Sequence, residues 1–406
     1  MKVSQNHSKT ALCTTPSLRG KAGVGLLLLI LCGCITKYDP PDIDELADIL
    51  VVEGIITDDE TTITLTRSAK LTNDVEIGSD PSTPTYFVDN AKVYVECEDG
   101  TQFHAEPPSM IWWGMWIRNG RYTIKTGKLN PNKKYCLNIE IDEIEGDCRP
   151  GTGPCPTKNY KYSSDPAYPI QTPEIDSVFW MKRGRGQPVS IHVATHSPDL
   201  KVLYYRWSYK EDWEVRSEYY SADYPYFCWN CANSRQMLLG SAEKTVFGRI
   251  MDKLTEMSPS SSRLSVLYRI DVKQNVISKR AYDYFANIKK NAEQSGSIFA
   301  PVPSELRGNI TCITDPGRPV IGYVDISTTT QKRRYISGGQ VYEKPRSNNC
   351  DLIPGDTLWR RYGGIPDNYK PYPPPPAPPA TYVRIECLDC TLNDATTLKP
   401  DDWPKN

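Results

Sequence analysis

The chain has 406 residues, with 48 basic and 49 acidic side chains and a formal net charge of −1. A balance this even carries no electrostatic footprint for nucleic acid, and the length allows two or three domains, each large enough to bury a core. With 34 prolines, 26 glycines, 25 tyrosines and 9 tryptophans, the composition favours strands and turns over helices.

Residues 1–33 have the order of a secretory signal. Lys2, Lys9, Arg19 and Lys21 form a basic region free of acids, and Val24 to Cys32 is an apolar run. That run is too short for a transmembrane helix, which needs about 20 apolar residues, and has the length of a signal core. It ends in Leu31-Cys32-Gly33-Cys34, which resembles a bacterial lipobox: an apolar residue, two small ones, then the cysteine that takes the lipid. The expectation is cleavage after Gly33, lipidation of Cys34 and attachment to a membrane through that anchor. Residues 34–48 hold two adjacent prolines and five acids and read as a solvated tether. Its acidic stretch resembles the signal that sends some Bacteroidota lipoproteins to the cell surface. The expected location is therefore the outer membrane, surface-exposed, with the periplasmic face as the alternative.

Residues 49–145 predict a first β-sandwich. Ile49 to Ile56 is apolar, Ile63 and Leu65 alternate within Thr61–Thr66, and Val93, Val95 and Cys97 share a face. Asp99-Gly100 and Asn119-Gly120 are hairpin signals, and Tyr135, Leu137, Ile139 and Ile141 alternate after Asn130-Pro131-Asn132. Strands of this length and spacing indicate an antiparallel sandwich. Residues 146–172, rich in Gly, Pro, Ser and Tyr, read as a linker loop. Residues 173–406 predict a second β-rich, sandwich-like domain. Val189–Thr195, Leu203–Tyr209 and Leu264–Val272 alternate, while 216–262 reads as irregular. One helix is predicted over 279–294: Ser278 is a suitable N-cap, Ala281, Phe285, Ile288 and Ala292 form one stripe, and Gly296 suits the C′ position. That stripe is expected to pack on the second sheet. The proline-rich insert at 371–379 reads as a stiff polyproline spacer.

Thirteen cysteines are present. Ten lie past the anchor: Cys97, Cys136, Cys148, Cys155, Cys228, Cys231, Cys312, Cys350, Cys387 and Cys390. In an exported chain they are candidate disulfide cysteines. Short separations suggest Cys148 with Cys155, Cys228 with Cys231, Cys387 with Cys390, and Cys312 with Cys350. The alternative for Cys228-Trp-Asn-Cys231 and Cys387-Leu-Asp-Cys390 is a four-thiolate zinc site. Their wide separation and an oxidising compartment argue for disulfides, so no metal or cofactor is expected.

Catalytic signatures are missing. There is no H-E-x-x-H, G-x-S-x-G, phosphate loop or dinucleotide fingerprint. His192 and His196 would suit one metal on a helix, but the local pattern is a strand, where four residues span about 13 Å. Glu140 and Asp142 are acids of a kind that sandwiches carry on solvated faces. Trp112, Trp113 and Trp116, crowded between Pro107-Pro108 and Asn119-Gly120, are candidates for contact with a partner, glycan or peptide. The bland alternative is a buried strand.

The later chain resembles a known family. Leu306-Arg307-Gly308-Asn309-Ile310, Asp315-Pro316, Val320-Ile321-Gly322-Tyr323-Val324 and Lys332-Arg333-Arg334-Tyr335-Ile336 are similar, in that order, to the closing core of the domain of unknown function 4249 family. Ser278–Tyr282, Gly296–Phe299, the tail Cys387–Thr391 with Lys399-Pro400 and Trp403-Pro404, and Ile49–Ile56 extend the match. Gly308 and Gly322 read as positions of tight backbone approach, and Tyr323 and Trp403 as core fillers. The proline insert and the Cys312/Cys350 pair depart from the pattern. The resemblance implies a Bacteroidota envelope lipoprotein of no assigned chemistry, often encoded beside a TonB-dependent receptor. It also implies a first domain similar to Ig-like, carboxypeptidase-regulatory-like sandwiches. The expected function is that of a non-enzymatic accessory of a TonB-dependent outer-membrane transporter in nutrient uptake. The alternatives are a surface glycan- or peptide-binding module, or a hydrolase with an unrecognised site.

Overall fold

The computed structural model describes residues 49–68, 87–106, 111–112, 115–116, 119–144, 155–197, 202–294, 308–345, 350–373 and 381–404. The first strands are β1 (Leu50–Ile56), β2 (Asp59–Arg67), β3 (Ala91–Cys97), β4 (Gln102–Glu106), β5 (Ile111–Trp112), β6 (Met115–Trp116), β7 (Arg121–Gly127), β8 (Tyr135–Ile144) and β9 (Thr157–Ser164). Next come β10 (Ile175–Lys182), β11 (Val189–His196), β12 (Tyr204–Arg216), β13 (Phe227–Asn233), β14 (Leu238–Ser241), β15 (Arg249–Met257), β16 (Leu267–Val276) and helix α1 (Lys279–Gln294). The chain continues with β17 (Ile310–Cys312), β18 (Val320–Ile326), β19 (Thr329–Ser337), α2 (Gly338–Val341), β20 (Ile353–Pro354), α3 (Gly355–Tyr362), β21 (Tyr369–Tyr372) and β22 (Thr381–Arg384). The fold is mainly β, as the composition predicts.

The first body is one nine-stranded sheet in the order β17-β9-β8-β3-β4-β7-β2-β1-β18. Period-two patterning makes its inner face: Ile63 and Leu65 on β2, Val93 and Val95 on β3, Tyr122 and Ile124 on β7, and Leu137, Ile139 and Ile141 on β8 are all buried in one cluster. The predicted sandwich takes the form of a single sheet curled until its edges meet. Asn309, just before β17, makes the seam. Its buried carboxamide donates to the Val324 carbonyl at 2.7 Å and accepts from the Val324 N–H at 2.8 Å. It thus supplies to β18 the donor and acceptor that a neighbouring backbone would supply. The edges meet so closely that a Cβ on Gly308 would fall 1.6 Å from the Gly322 carbonyl oxygen, and one on Gly322 would fall 2.5 Å from the Val52 carbonyl oxygen of β1, which is why both positions are glycine.

Two boundaries differ from the sequence reading. The linker expected at 146–172 contains β9, antiparallel to β8, with Tyr160, Tyr162 and Ser164 facing the core. Its inward residues are tyrosine and serine rather than aliphatic, so the strand reads as polar loop. The 173–406 region is also not one domain, because β17 and β18 belong to the first sheet. β18 lies parallel to β1, Leu50 opposite Val320 through Ile56 opposite Ile326. Such long-range pairing leaves no local trace in sequence.

The second body is a sandwich of a three-stranded sheet, β10-β11-β15, and a five-stranded one, β13-β12-β16-β19 with β14 also on β12. The supposedly irregular 216–262 thus contributes β13, β14 and β15. The core holds Val178, Ile191, Trp207, Trp213, Ile270 and Ile336. Buried Gln274 is satisfied across it, accepting from Trp207 Nε1 at 2.8 Å and donating to the Pro173 carbonyl at 2.9 Å.

Helix α1 starts where predicted: the Ser278 hydroxyl accepts from the Ala281 N–H at 3.2 Å. Its stripe does not pack on the second sheet alone. Ala281, Tyr284 and Phe285 bury against Tyr204 of the second body and against Tyr323 and Ile55 of the first, so the helix clasps both. Fully burying an aromatic side chain of this kind stabilises by about 1.5–3 kcal/mol. Its start is tied to the first sheet, because Asp325 Oδ2 accepts from the Ser278 N–H at 2.6 Å. Ala292 lacks a described side chain and Gly296 lies outside the described residues.

The tail forms a small sheet, β20-β22-β21, with its own cluster around Val383 and Leu388. Tyr372 and Thr381 are paired partners in β21 and β22. The flanks of the proline run are therefore neighbours, and residues 374–380, which hold most of the expected spacer, lie outside the described residues.

Asn309→Ala leaves two buried backbone groups of Val324 without partners and is expected to cost about 2–4 kcal/mol, readable as a lower urea midpoint. Burial raises the Asp325 pKa, and hydrogen bonds from Ser278 and Ile326 only partly offset this. Its contribution to stability is therefore full below the ordinary carboxylate range and lost as pH rises through the raised value. Thermal denaturation against pH should show the native protein gaining on Asp325→Asn as pH falls from neutral.

Candidate functional site

An open groove of about 900 Å³ lies over the outer face of the five-stranded sheet. The strand register dictates its chemistry. Alternate outward residues of β12, β16 and β19 are charged, and pairing sets opposite signs side by side: Asp212 opposite Arg269, Lys210 opposite Asp271, and Asp271 opposite Arg333. Arg269 Nη2 reaches Asp212 Oδ2 at 2.7 Å and Arg333 Nε reaches Asp271 Oδ1 at 2.6 Å. Lys210 Nζ stands 3.4 Å from Asp212 Oδ1. Burial opposes the Arg269 charge, but the hydrogen bonds to Asp212 and Tyr335 and the charges of Asp212 and Asp271 together outweigh it, and its pKa is raised.

One wall of the groove is the C-terminal tail. Trp403 lies over the Arg269 guanidinium, 5.3 Å from ring centroid to cation, and packs edge-on against Tyr335. Arg269 Nη1 also donates to the Asp401 carbonyl at 3.2 Å. The Trp229 and Thr396 backbones exchange two hydrogen bonds of 2.8 Å. Trp403 is buried as expected, but over an ionic face rather than an apolar core. On the opposite side of β12, Glu211 accepts from the Tyr268 hydroxyl at 2.6 Å and pairs with Arg263. Burial first, then the Glu211 charge, pushes the Tyr268 pKa well up.

The disulfides differ from the sequence guesses. Cys228 joins Cys390 and Cys350 joins Cys387. Each C-x-x-C is split: Cys231 is free and exposed, so neither internal bridge forms and four thiolates are not available for zinc. The cause is spatial, since these bridges fasten the tail to β13 and to its own small sheet. Cys312 does not meet Cys350, because it is buried in the first body's core. Cys97 and Cys136 are free as well. They sit on adjacent strands but opposite faces, Cys97 inward and Cys136 half-buried. Cys155 is disulfide-bonded, and its suggested partner Cys148 lies outside the described residues. Among those residues no group of three His, Cys, Asp or Glu side chains is placed to hold a metal ion.

The other sequence candidates scatter. His192 stacks on Phe179 and His196 pairs with Asp176, both on strand β11. Glu140 faces Lys92 and Lys161, while Asp142 accepts from Asn159. Trp112 and Trp116 lie on the two-stranded β5–β6 hairpin, paired with Met115 and Ile111; Trp113 and Cys34 lie outside the described residues. The charge ladder was missed. Its signal was present as i, i+2 charges in Lys210/Asp212 and Arg269/Asp271/Lys273, but pairing them requires the register.

These features define a two-body, β-rich protein with a disulfide-fastened tail and an ionic outer groove. The model of the family described as "Domain of unknown function (DUF4249)" matches residues 35–146 and 156–333, and the chain belongs to that family. No curated protein matches it. Solved structures that resemble it include a cytokine receptor complex, at 9% identity and a TM-score of 0.16, covering 55% of this chain and 84% of that one.

Trp403→Ala uncovers the Arg269–Asp212 pair and is expected to lower stability by about 3 kcal/mol. Limited proteolysis should then cut the segment after Cys390 well before the rest of the chain.

Proposed function

We propose that this chain is an exported, lipid-anchored, non-enzymatic binding protein of the outer membrane, serving as an accessory of a TonB-dependent transporter. The observation that carries the reading is the charge ladder. Asp212, Arg269, Asp271 and Arg333 satisfy one another; Asp212 and Arg269 are buried beneath the tail, and the groove presents the charges of Lys210, Asp271 and Arg333, held in a fixed pattern, to whatever lies against it. A surface of this kind recognises a complementary surface and sets its register. Two further features support the setting. The lipobox order ends at Cys34, and the Cys228–Cys390 and Cys350–Cys387 bridges suit an oxidising compartment. The barrel partner is taken from the family resemblance and is an argument by association. A glycan- or peptide-binding module is the second reading, favoured by the hairpin that carries Trp112 and Trp116.

Purification of the mature protein from membranes in mild detergent tests the first reading. The expected result is co-recovery of a barrel receptor, reduced about tenfold by Lys210→Glu combined with Arg333→Glu. Recovery without any barrel protein would contradict it.

A further inference from the structure

The ladder of alternating charge stops at one place. Lys273 on β16 lies opposite Ser208 of β12 and Gln331 of β19. Both are neutral, where the pattern would require acids. One step further along β12, Arg206 lies opposite neutral Asn275. Across the cleft, on the first body, Arg121 of β7 lies opposite Thr64. These three cations, with Ser208 and Gln331, line a cavity of about 470 Å³ between the two bodies. Arg121, Lys273, Ser208 and Gln331 also line the adjoining groove, so the cations stand where the two spaces meet.

They differ from the paired arginines of the two bodies. Arg269, Arg333, Arg263, Arg216 and Arg318 each hold a carboxylate. Among the described residues none lies within ion-pairing distance of Arg121, Arg206 or Lys273. Arg206 is the sharpest case. Its guanidinium is mostly withdrawn from water and stacks on Phe285 of α1, 4.9 Å from the ring centroid. Stacking occupies one face of the planar cation and leaves its N–H edge for in-plane acceptors. Burial lowers its pKa and the charge of Glu53 only partly restores it. Withdrawing a cation from water without a counter-ion is costly, and that cost is offset when an anion enters.

We propose that the cleft between the two bodies is a binding site for a single carboxylate or phosphate group, held by Arg206, Lys273 and Arg121 with Ser208 and Gln331 as neutral hydrogen-bonding partners. The same cavity is lined by Glu53, Asp58, Asp59 and Glu60, and Glu53 is near enough for its charge to act on Arg206. Those acids repel a second negative charge, so the site selects one anionic head group over a polyanion. The inference stands apart from the anchor and from any barrel partner.

Titration calorimetry on the mature chain, at low salt, with sodium acetate, inorganic phosphate and a long-chain polyphosphate tests it. Saturable binding of phosphate alone assigns a phosphate ligand, and binding of acetate as well assigns a carboxylate. Arg206→Gln and Lys273→Gln should each weaken binding by about tenfold or more. Arg206→Lys should keep part of it, and Arg334→Gln, on exposed β19 outside the cleft, should leave it unchanged. Circular dichroism checks that each variant folds; if Arg206→Gln does not, Lys273→Gln and Arg206→Lys decide. The proposal is overturned if neither small anion binds, if binding survives the cleft substitutions unchanged, or if polyphosphate binds tighter than phosphate.

Discussion

The strand pair β1–β18 is the constraint from which the rest follows. β18 closes the first sheet beside β1, then the chain enters β19 of the second body after only Ser327 and Thr328. Two residues leave little freedom between the bodies. The junction is laced further: the Ile170 N–H donates to the Ile326 carbonyl at 2.9 Å and the Thr328 N–H to the Ile170 carbonyl at 3.0 Å. Buried Ser327 and the Thr172–Thr328 hydrogen bonds complete it. With α1 clasping both sides, the cleft walls are set by covalent continuity and backbone hydrogen bonds rather than by surface contacts alone.

On this frame the electrostatics divide into two regimes. Where the tail covers β12, charges are buried and must be paired. Asp212 holds Arg269, and Glu214 holds Arg216 while accepting from Trp403 Nε1 at 3.4 Å; on the other face of β12, buried Glu211 holds Arg263. Where the sheet turns toward the first body, pairing lapses at Lys273 and Arg206. The first regime fastens the structure, since removing one member would strand its partner. The second leaves charge available to a ligand.

Much of the fold was legible because its strands obey period two. Val93 and Val95, Leu137 to Ile141, and Val189 to Val193 announced their buried faces, and Ser278 with Ala281, Phe285 and Ile288 announced α1. Gly308 and Gly322 were readable as points of close approach. What was hidden depended on distance along the chain. β9 looked like a loop because Tyr160 and Tyr162 do the inward packing, and nothing near Val320 signals that it pairs with Leu50. The guesses of Cys228 with Cys231, Cys387 with Cys390 and Cys312 with Cys350 failed for the same reason, because nearness in sequence stood in for nearness in space. Cys228 meets Cys390 across 162 residues. The charges of the groove were visible one by one, but their partners became apparent only in register.

The functional account rests on the chain working outside the cytoplasm, held by lipid with its tail cross-linked. Mass spectrometry of non-reduced peptides from the membrane-purified protein measures both at once. The account predicts an amino terminus at Cys34 bearing fatty acid, together with peptides joined through Cys228–Cys390 and Cys350–Cys387. An unacylated amino terminus, with those four cysteines recovered as alkylated free thiols, would contradict it.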